Sequence, residues 1–379
     1  MEQTIESRKR TAVQWKKGFT VDEYLKRDAI MDEYEHARDG KLVTWVLAPR
    51  DDPQTLDFMC SCESFKRPGI VARRTPKGPI VEEIPCYGVA SVFTPAEKRG
   101  KGYAKHMMRL LHWVLAPRDN LPEFPSEWGA PPSLPPNVGD ALFSVLSSDI
   151  GPFFYAESGP AVKGSGWIIR DPYQTIWSSI RASPPLNASN SVAGEWRLLD
   201  EDAAKILWDK DGELMKKEAA RFMSSTATRP AAFALLPTQG VAAFNFHRQM
   251  SFTPDGKIQL PAETWGIQLI TPDANPHEPN VFATWTIERQ DQPQNFVVTR
   301  LRATPETFPT LLGKIFEVAK KEGVDQVDIW NLPKDLEAVA RGLGGVTSDR
   351  SLHLPSFKWY GPESEEQVDW LFNEKYLWC

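Results

Sequence analysis

The residues best suited to chemistry lie in Lys98-Arg99-Gly100-Lys101-Gly102-Tyr103-Ala104. An apolar run, Tyr87 to Phe93, precedes them, and the amphipathic stretch Lys105 to Leu115 follows. Two glycines between a strand and a helix allow positive φ and let backbone N–H groups approach a ligand closely. The helix N-terminus adds partial positive charge, and Lys98, Arg99 and Lys101 add formal charge. Together they make a phosphate cradle. It is not a Walker A loop, which needs G-x-x-x-x-G-K-[ST]. It is not a dinucleotide turn either, because Lys105 stands where G-x-G-x-x-G needs its third glycine.

The elements that must position this turn follow from periodicity. Ala104, Met107, Met108, Leu111 and Leu115 recur at helical spacing, so one face of the following helix is buried. His106 and His112 then fall on its polar, solvent side. Thr20 is placed to cap a helix running from Val21 to near Gly40. Leu42–Ala48 reads as a strand, Thr55–Phe65 as its hairpin partner, and Gly78–Phe93 as a third extended stretch with a bulge expected at Pro85. The heptapeptide Trp-Val-Leu-Ala-Pro-Arg-Asp occurs at Trp45–Asp51 and again at Trp113–Asp119, once in a strand and once at a helix end. Residues 117 to 136 hold seven prolines, so a surface insert over about 116–138 interrupts the fold. Ala141–Asp149 reads as a buried strand, and Ile150–Gly159 as a turn and short helix. After a linker over 182–196, the second half reads as a helix and then strands, including Val241–Phe252. A further helix from Thr307 and one more strand complete it. That repeats the plan of the first half without the glycine turn.

A chain of 379 residues exceeds one ordinary core, so two domains are expected. The net charge of −6 argues against general nucleic-acid binding. No apolar run reaches membrane-spanning length and the first ten residues lack an apolar signal core, so a cytoplasmic protein is expected. Cys60, Cys62, Cys86 and Cys379 have no C-x-x-C spacing, which favours neither a metal site nor a disulfide framework.

The stretch SVFTPAEKRGKGYAKHMMRLL resembles motif A of the GCN5-related N-acetyltransferases (GNAT), with Arg99, Gly102 and Ala104 at the positions of Q/R-x-x-G-x-G/A. LFSVLSSDIGPFFYAESG is similar to the family's second element, a strand and short helix. The EFPSEWG insert, the long second domain and the terminal Trp-Cys further resemble the fungal lysine N6-acetyltransferases of lysine catabolism. The resemblance implies an α/β (α+β) GNAT fold with a mixed, largely antiparallel twisted sheet flanked by helices. Residues 1–185 would bind acetyl-CoA, and 196–379 would form a degenerate GNAT-like domain closing the acceptor site. It implies acetyl-CoA as cosubstrate, no metal, and a small-molecule amine as partner, L-lysine first.

By the same resemblance, the amides of residues 98–104 bind the coenzyme's pyrophosphate. Ser91, Val92, Phe93 and Thr94 form the splayed strand that pairs with its pantetheine arm, with an oxyanion donor near Phe93. Tyr155 stands where the family's general acid sits; otherwise it is an aromatic packed beside Phe153 and Phe154. A lysine amine, with its pKa near ~10.4, must lose a proton before it attacks. For that base, Glu82 or Glu83, Asp149 and the terminal carboxylate of Cys379 are candidates. Exposed edge carboxylates, or a helix cap for Asp149, are the alternatives. His106, His112, His247 and His353 are the remaining alternative bases, the last two with no partner visible in sequence, and a structural role is the competing reading for each. Trp265, Trp285 and Arg248 are candidate acceptor contacts, and Cys86 alone keeps a covalent route open. The competing readings are acetylation of protein lysines or another small amine, and a non-catalytic acetyl-CoA-binding module.

Overall fold

The computed structural model describes residues 1–181, 193–271, 280–290 and 293–379. Most of the expected linker, residues 182–192, lies outside them.

Helices α1 (Glu2–Trp15) and α2 (Val21–Asp32) come first. A capping box opens α2: Glu23 N–H donates to Thr20 Oγ1 (3.2 Å), and Thr20 N–H donates to Glu23 (2.8 Å). The helix stops at Asp32, short of Gly40, because Tyr34 and His36 turn inward. Tyr34 stacks on His247, with ring centroids 4.0 Å apart, and His36 meets Phe244 edge-on. Strand β1 (Leu42–Leu47) pairs antiparallel with the start of β2 (Cys60–Thr75), and β2 with β3 (Gly78–Phe93) forms a long hairpin. The register runs straight through Pro85, which faces Pro68, so the bulge expected there is absent. It lies instead where Ser61 and Glu63 oppose residues Ala90 to Phe93.

Next come α3 (Tyr103–Leu115), β4 (Phe143–Ser148), α4 (Phe153–Ala156), β5 (Ile168–Ile169) and β6 (Tyr173–Ser178). The two heptapeptide copies take the two conformations expected, in β1 and at the end of α3. Beyond the linker follow β7 (Glu195–Leu199), α5 (Glu201–Ser225), β8 (Ala231–Leu235) and α6 (Val241–His247). The strand expected over Val241–Phe252 is therefore mostly helix. Every residue of α6 is buried, so no polar face betrayed its period. The chain continues through β9 (Ser251–Phe252), β10 (Ile258–Gln259), β11 (Gly266–Ile270), β12 (Phe282–Glu288), β13 (Asn295–Arg302) and α7 (Phe308–Lys321). It ends with β14 (Gln326–Trp330), α8 (Lys334–Gly342), β15 (Val346–Asp349), β16 (Leu354–Trp359) and β17 (Val368–Trp370).

Two mixed sheets carry the fold. The first is eight-stranded, β17-β8-β2-β3-β4-β16-β5 with β1 beside β2; the second is seven-stranded, β15-β6-β14-β13-β12-β11-β7. They exchange strands across the boundary expected near 185–196: β6 joins the second sheet, while β8, β16 and β17 join the first. Apolar packing follows the same interleaving, with Trp208, Met215 and Met223 of α5 in one cluster with Ile70, Phe143 and Phe357 of the first sheet.

A parallel pair opens inside each sheet, and the first sheet has a second parallel pair, β8 with β17, at its edge. In the first, β3 and β4 pair over Tyr87–Val89 and Ser144–Leu146 only. In the second, β13 and β14 pair over Phe296–Val298 and Val327–Ile329. The chain's own C-terminal segment packs against β13 beyond this pair. Glu374 accepts the Leu301 backbone N–H at 2.9 Å and pairs with Arg300, which also holds Asp211 (2.8 Å). No described helix is long and apolar enough to cross a membrane.

Candidate active site

The glycine turn leaves β3 through a short 3₁₀ segment and reaches α3 with Gly100 at φ 74° and Gly102 at φ 80°. A Cβ at either glycine would meet nothing within 4 Å, so the requirement is for left-handed backbone rather than space. Gly102 is the residue before α3, and the first amides of that helix have no partner within it. Lys98 is turned away from the turn. Its ammonium donates to the Asp57 and Phe58 carbonyls (2.6 and 3.1 Å) and pairs with the Asp57 carboxylate, pinning the turn to that loop. Arg99 donates to the Thr94 carbonyl at 2.9 Å and sits over the Phe93 ring. Lys101 is exposed, and Tyr103 is half-buried.

Beyond Val89 the bulge carries β3 away from β4, with Ser91 held at φ 55°. Such a φ is strained for a residue other than glycine, and it is held by the Ser91 hydroxyl, which donates to Glu63 Oε2 at 2.7 Å. The opening is a cavity of about 580 Å³. Ser91, Val92, Phe93 and Thr94 line one wall with Arg99 and Ala104 at the turn end. Tyr155 and Asp149 line the wall beyond β4, and Trp378 and Cys379 close it from the C-terminal segment.

Tyr155, on α4, has no hydrogen-bond partner for its hydroxyl among the described residues. Burial, then the neighbouring Cys62 and Asp149, push its pKa well above the ordinary tyrosine value, so it is a protonated donor at neutral pH. Asp149 caps no helix. It accepts the His353 backbone N–H at 2.7 Å, and the His353 ring Nδ1 lies 2.9 Å from it. Burial raises its pKa, and the bonds and charge of His353 outweigh that, leaving the carboxyl below its ordinary value.

Glu83 is not in the cavity. It lies far down the hairpin opposite Ile70, exposed, and pairs with Lys216 on α5. Glu82 pairs with Arg73. Alternation could not place these side chains relative to a cleft that opens only beyond Val89. His112 is not on a solvent face: it is fully buried, stacked on Trp167, and bonded to the Tyr360 hydroxyl and the Ser158 carbonyl, both at 2.8 Å. Trp265 and Trp285 are core residues, and Trp285 donates to the Thr264 carbonyl. Arg248 does line the cavity. Cys86 is fully buried, and burial pushes its thiol well up, against use as a nucleophile.

One wall of the cavity was missed in sequence, because α1 and α2 supply it. Arg8 reaches in from α1, anchored by two 2.7 Å bonds to Asp32. Its Nε, buried and without a hydrogen-bond partner among the described residues, lies 3.8 Å from Glu63 and 4.0 Å from Asp28. Burial raises the Glu63 pKa; Arg8 and Ser91 counter part of the rise, and Asp28 and Asp32 add to it. The only local signal was a single charged residue in the run Cys60–Phe65.

A strand that leaves its parallel neighbour, a left-handed glycine turn and a helix opening on that turn are joined here to a matching family model. Residues 181–379 match the LYC1 GNAT-like C-terminal domain. The chain belongs to the GNAT family. The same mixed fold recurs in a probable N-acyltransferase from Enterococcus faecalis V583, with TM-score 0.53 and 12% identity over 95% of this chain and 70% of that one. It recurs also in a GCN5-related N-acetyltransferase from Kribbella flavida, with TM-score 0.50 and 13% identity over 94% of this chain and 69% of that one. A lysine acetyltransferase from Yarrowia lipolytica is 29% identical over 97 residues, which span 26% of this GNAT chain and 23% of the relative.

Proposed function

We propose that the protein transfers acetyl from acetyl-CoA to the side-chain amine of free L-lysine, in lysine breakdown in the cytoplasm. One observation carries the reading. The open backbone of Ser91–Thr94 shares a single cavity with a set of opposite charges, Arg8 and Arg248 against Asp28 and Glu63. A zwitterion with a second amine needs both signs at once. An apolar amine or a polycation does not, and a polar site discriminates strongly against analogues that leave its groups unpaired.

The residues fit acetyl-CoA: the Gly100–Ala104 backbone and Arg99 to hold the pyrophosphate, and the unpaired edge of β3 to hold the pantetheine arm. Bound there, acetyl-CoA supplies an acyl group on a good leaving thiolate. The chain's part is to orient the amine, take its proton, offer a backbone N–H near Phe93 to the thioester oxygen, and return a proton from Tyr155 to sulfur. Residues 1–185 keep the coenzyme strand and turn in this reading, while 196–379 close the acceptor side through Arg248 and Trp378, although their sheets interleave. The test is coenzyme A thiol release from acetyl-CoA with L-lysine, a histone-tail peptide or spermidine. Release with L-lysine alone is the expected result. Release with the peptide or spermidine and none with L-lysine overturns it.

A further inference from the structure

We infer that Glu63 is the residue that receives the acceptor's side-chain ammonium and takes its proton. The inference rests on the acetyl-transfer reading and names the group at that same site.

Each side-chain carboxylate lining the cavity has a different degree of freedom. Asp28 is engaged by Arg27, whose Nε and Nη2 donate to it at 3.2 and 2.9 Å. Asp149 is engaged by His353. Glu63 has one oxygen fixed by the Ser91 hydroxyl, and among the described residues the cation beside its other oxygen is Arg8, whose Nε lies at 3.8 Å, beyond hydrogen-bond reach. Arg8 Nε is itself a buried donor with no acceptor among the described residues. The gap between them is therefore bordered by two polar groups that each lack a bond, and it opens on the cavity. Glu63 also stands opposite the bulge, across from Ala90 and bonded to Ser91, on the strand that borders the expected oxyanion donor near Phe93. The carboxylate that would take the proton and the backbone that would face the acyl oxygen are parts of one local arrangement.

The proton balance is simple. The ammonium gives one proton to the Glu63 carboxylate. The amine lone pair forms the C–N bond as the thioester C–S bond breaks. The second nitrogen proton balances the one that sulfur takes from Tyr155, and Glu63 releases its proton to solvent. The groups facing Glu63 are Arg8 on α1, Asp28 and Asp32 on α2, Ser91 on β3, Cys62 beside it on β2, and Cys379 from the C-terminal segment. Burial with Asp28 and Asp32 outweighs Arg8 and Ser91, so the acidic fall in rate should lie above an ordinary glutamate pKa.

The test uses the full chain. Glu63→Gln keeps an acceptor for the Ser91 hydroxyl but removes the base. With acetyl-CoA and L-lysine, kcat/KM should fall roughly 100-fold or more and lose its acidic limb. Glu63→Asp should recover part of the rate. Binding to the coenzyme A complex gives a readout without turnover. The unaltered chain should prefer L-lysine to L-norleucine, which lacks the side-chain amine, and Glu63→Gln should lose that preference. Should Glu63→Gln fail to fold, Ser91→Ala keeps the carboxylate while removing a bond to its charged form, and must move the acidic limb to higher pH. A Glu63→Gln protein with an unchanged pH profile, or an undiminished preference for L-lysine, overturns the assignment. So does an unmoved acidic limb in Ser91→Ala. If the unaltered chain turns over none of the amines, the acetyl-transfer reading fails and the role of Glu63 falls with it.

Discussion

Asp149, at the end of β4, holds His353 by its backbone N–H at 2.7 Å, and the His353 ring lies edge-on to Trp378 with centroids 5.7 Å apart. A residue on the first sheet thus fixes the loop before β16 and, through it, the aromatic that closes the cavity. Asp149→Asn should destabilise the protein at pH 7 by on the order of 1 kcal/mol, allowing for a carboxylate that is half exposed. The folded pKa is depressed, so this stability is present above the ordinary aspartate value and is lost as pH falls through the folded one. Thermal melts of both proteins from pH 7 to 3 should therefore converge at the acid end.

Tyr155→Phe removes a hydroxyl from the cavity wall without opening a hole in the packing. The rate of thiol release should fall roughly 10²- to 10⁴-fold. Acetyl-CoA should still raise the melting temperature as much as in the unaltered chain. Because the tyrosine is pushed above its ordinary pKa, it stays protonated throughout the neutral range, and no basic loss of rate below pH 10 should trace to it.

Gly102→Ala tests the turn. Its φ of 80° costs an alanine about 1 kcal/mol, with no clash to add to it. KM for acetyl-CoA should rise severalfold while KM for L-lysine stays within twofold. Equal rises in both would contradict a phosphate role for the turn.

Three buried histidines make the protein acid-sensitive. Burial pushes His112 and His36 down to about 3 and His247 to about 4. Unfolded, each takes a proton near ~6.5. Folded, they stay neutral, so stability should fall steadily as pH drops below that value toward 4. His112→Leu removes the partner of the Ser158 carbonyl and one of two partners of the Tyr360 hydroxyl, which keeps Ser144. It should lower stability by roughly 2 to 4 kcal/mol, flatten part of the acid slope, and leave kcat unchanged at a temperature where it remains folded.

What the sequence made legible is what is local. The strand, turn and helix from Ser91 to Leu115 declare themselves within 25 residues, because glycine, charge and helical spacing act at short range. The capping box at Thr20 is legible for the same reason. Glu63 was hidden because the cavity that it lines opens only where a bulge in the facing strand turns β3 aside, and that bulge has no local signal in the sequence. His112 looked like a polar surface residue because its two partners lie 46 and 248 positions away. Val241–His247 carried no periodic signal, since a helix buried on every side has no pattern to read. The cavity wall from α1 and α2 lay outside any motif.

The interleaved sheets carry a kinetic consequence. In the first sheet Ser148 faces Leu354, and near the opposite edge Ala231 faces Val368. Pairings so distant in sequence bring loop-closure entropy forward, before the contacts that offset it, and such topologies fold slowly. On the ribosome, the edge of β4 stays unpaired until β16 emerges, exposed to off-pathway pairing and to chaperones. The cavity therefore takes shape only late in synthesis, and a nascent chain carrying a perfect glycine turn would still be inert.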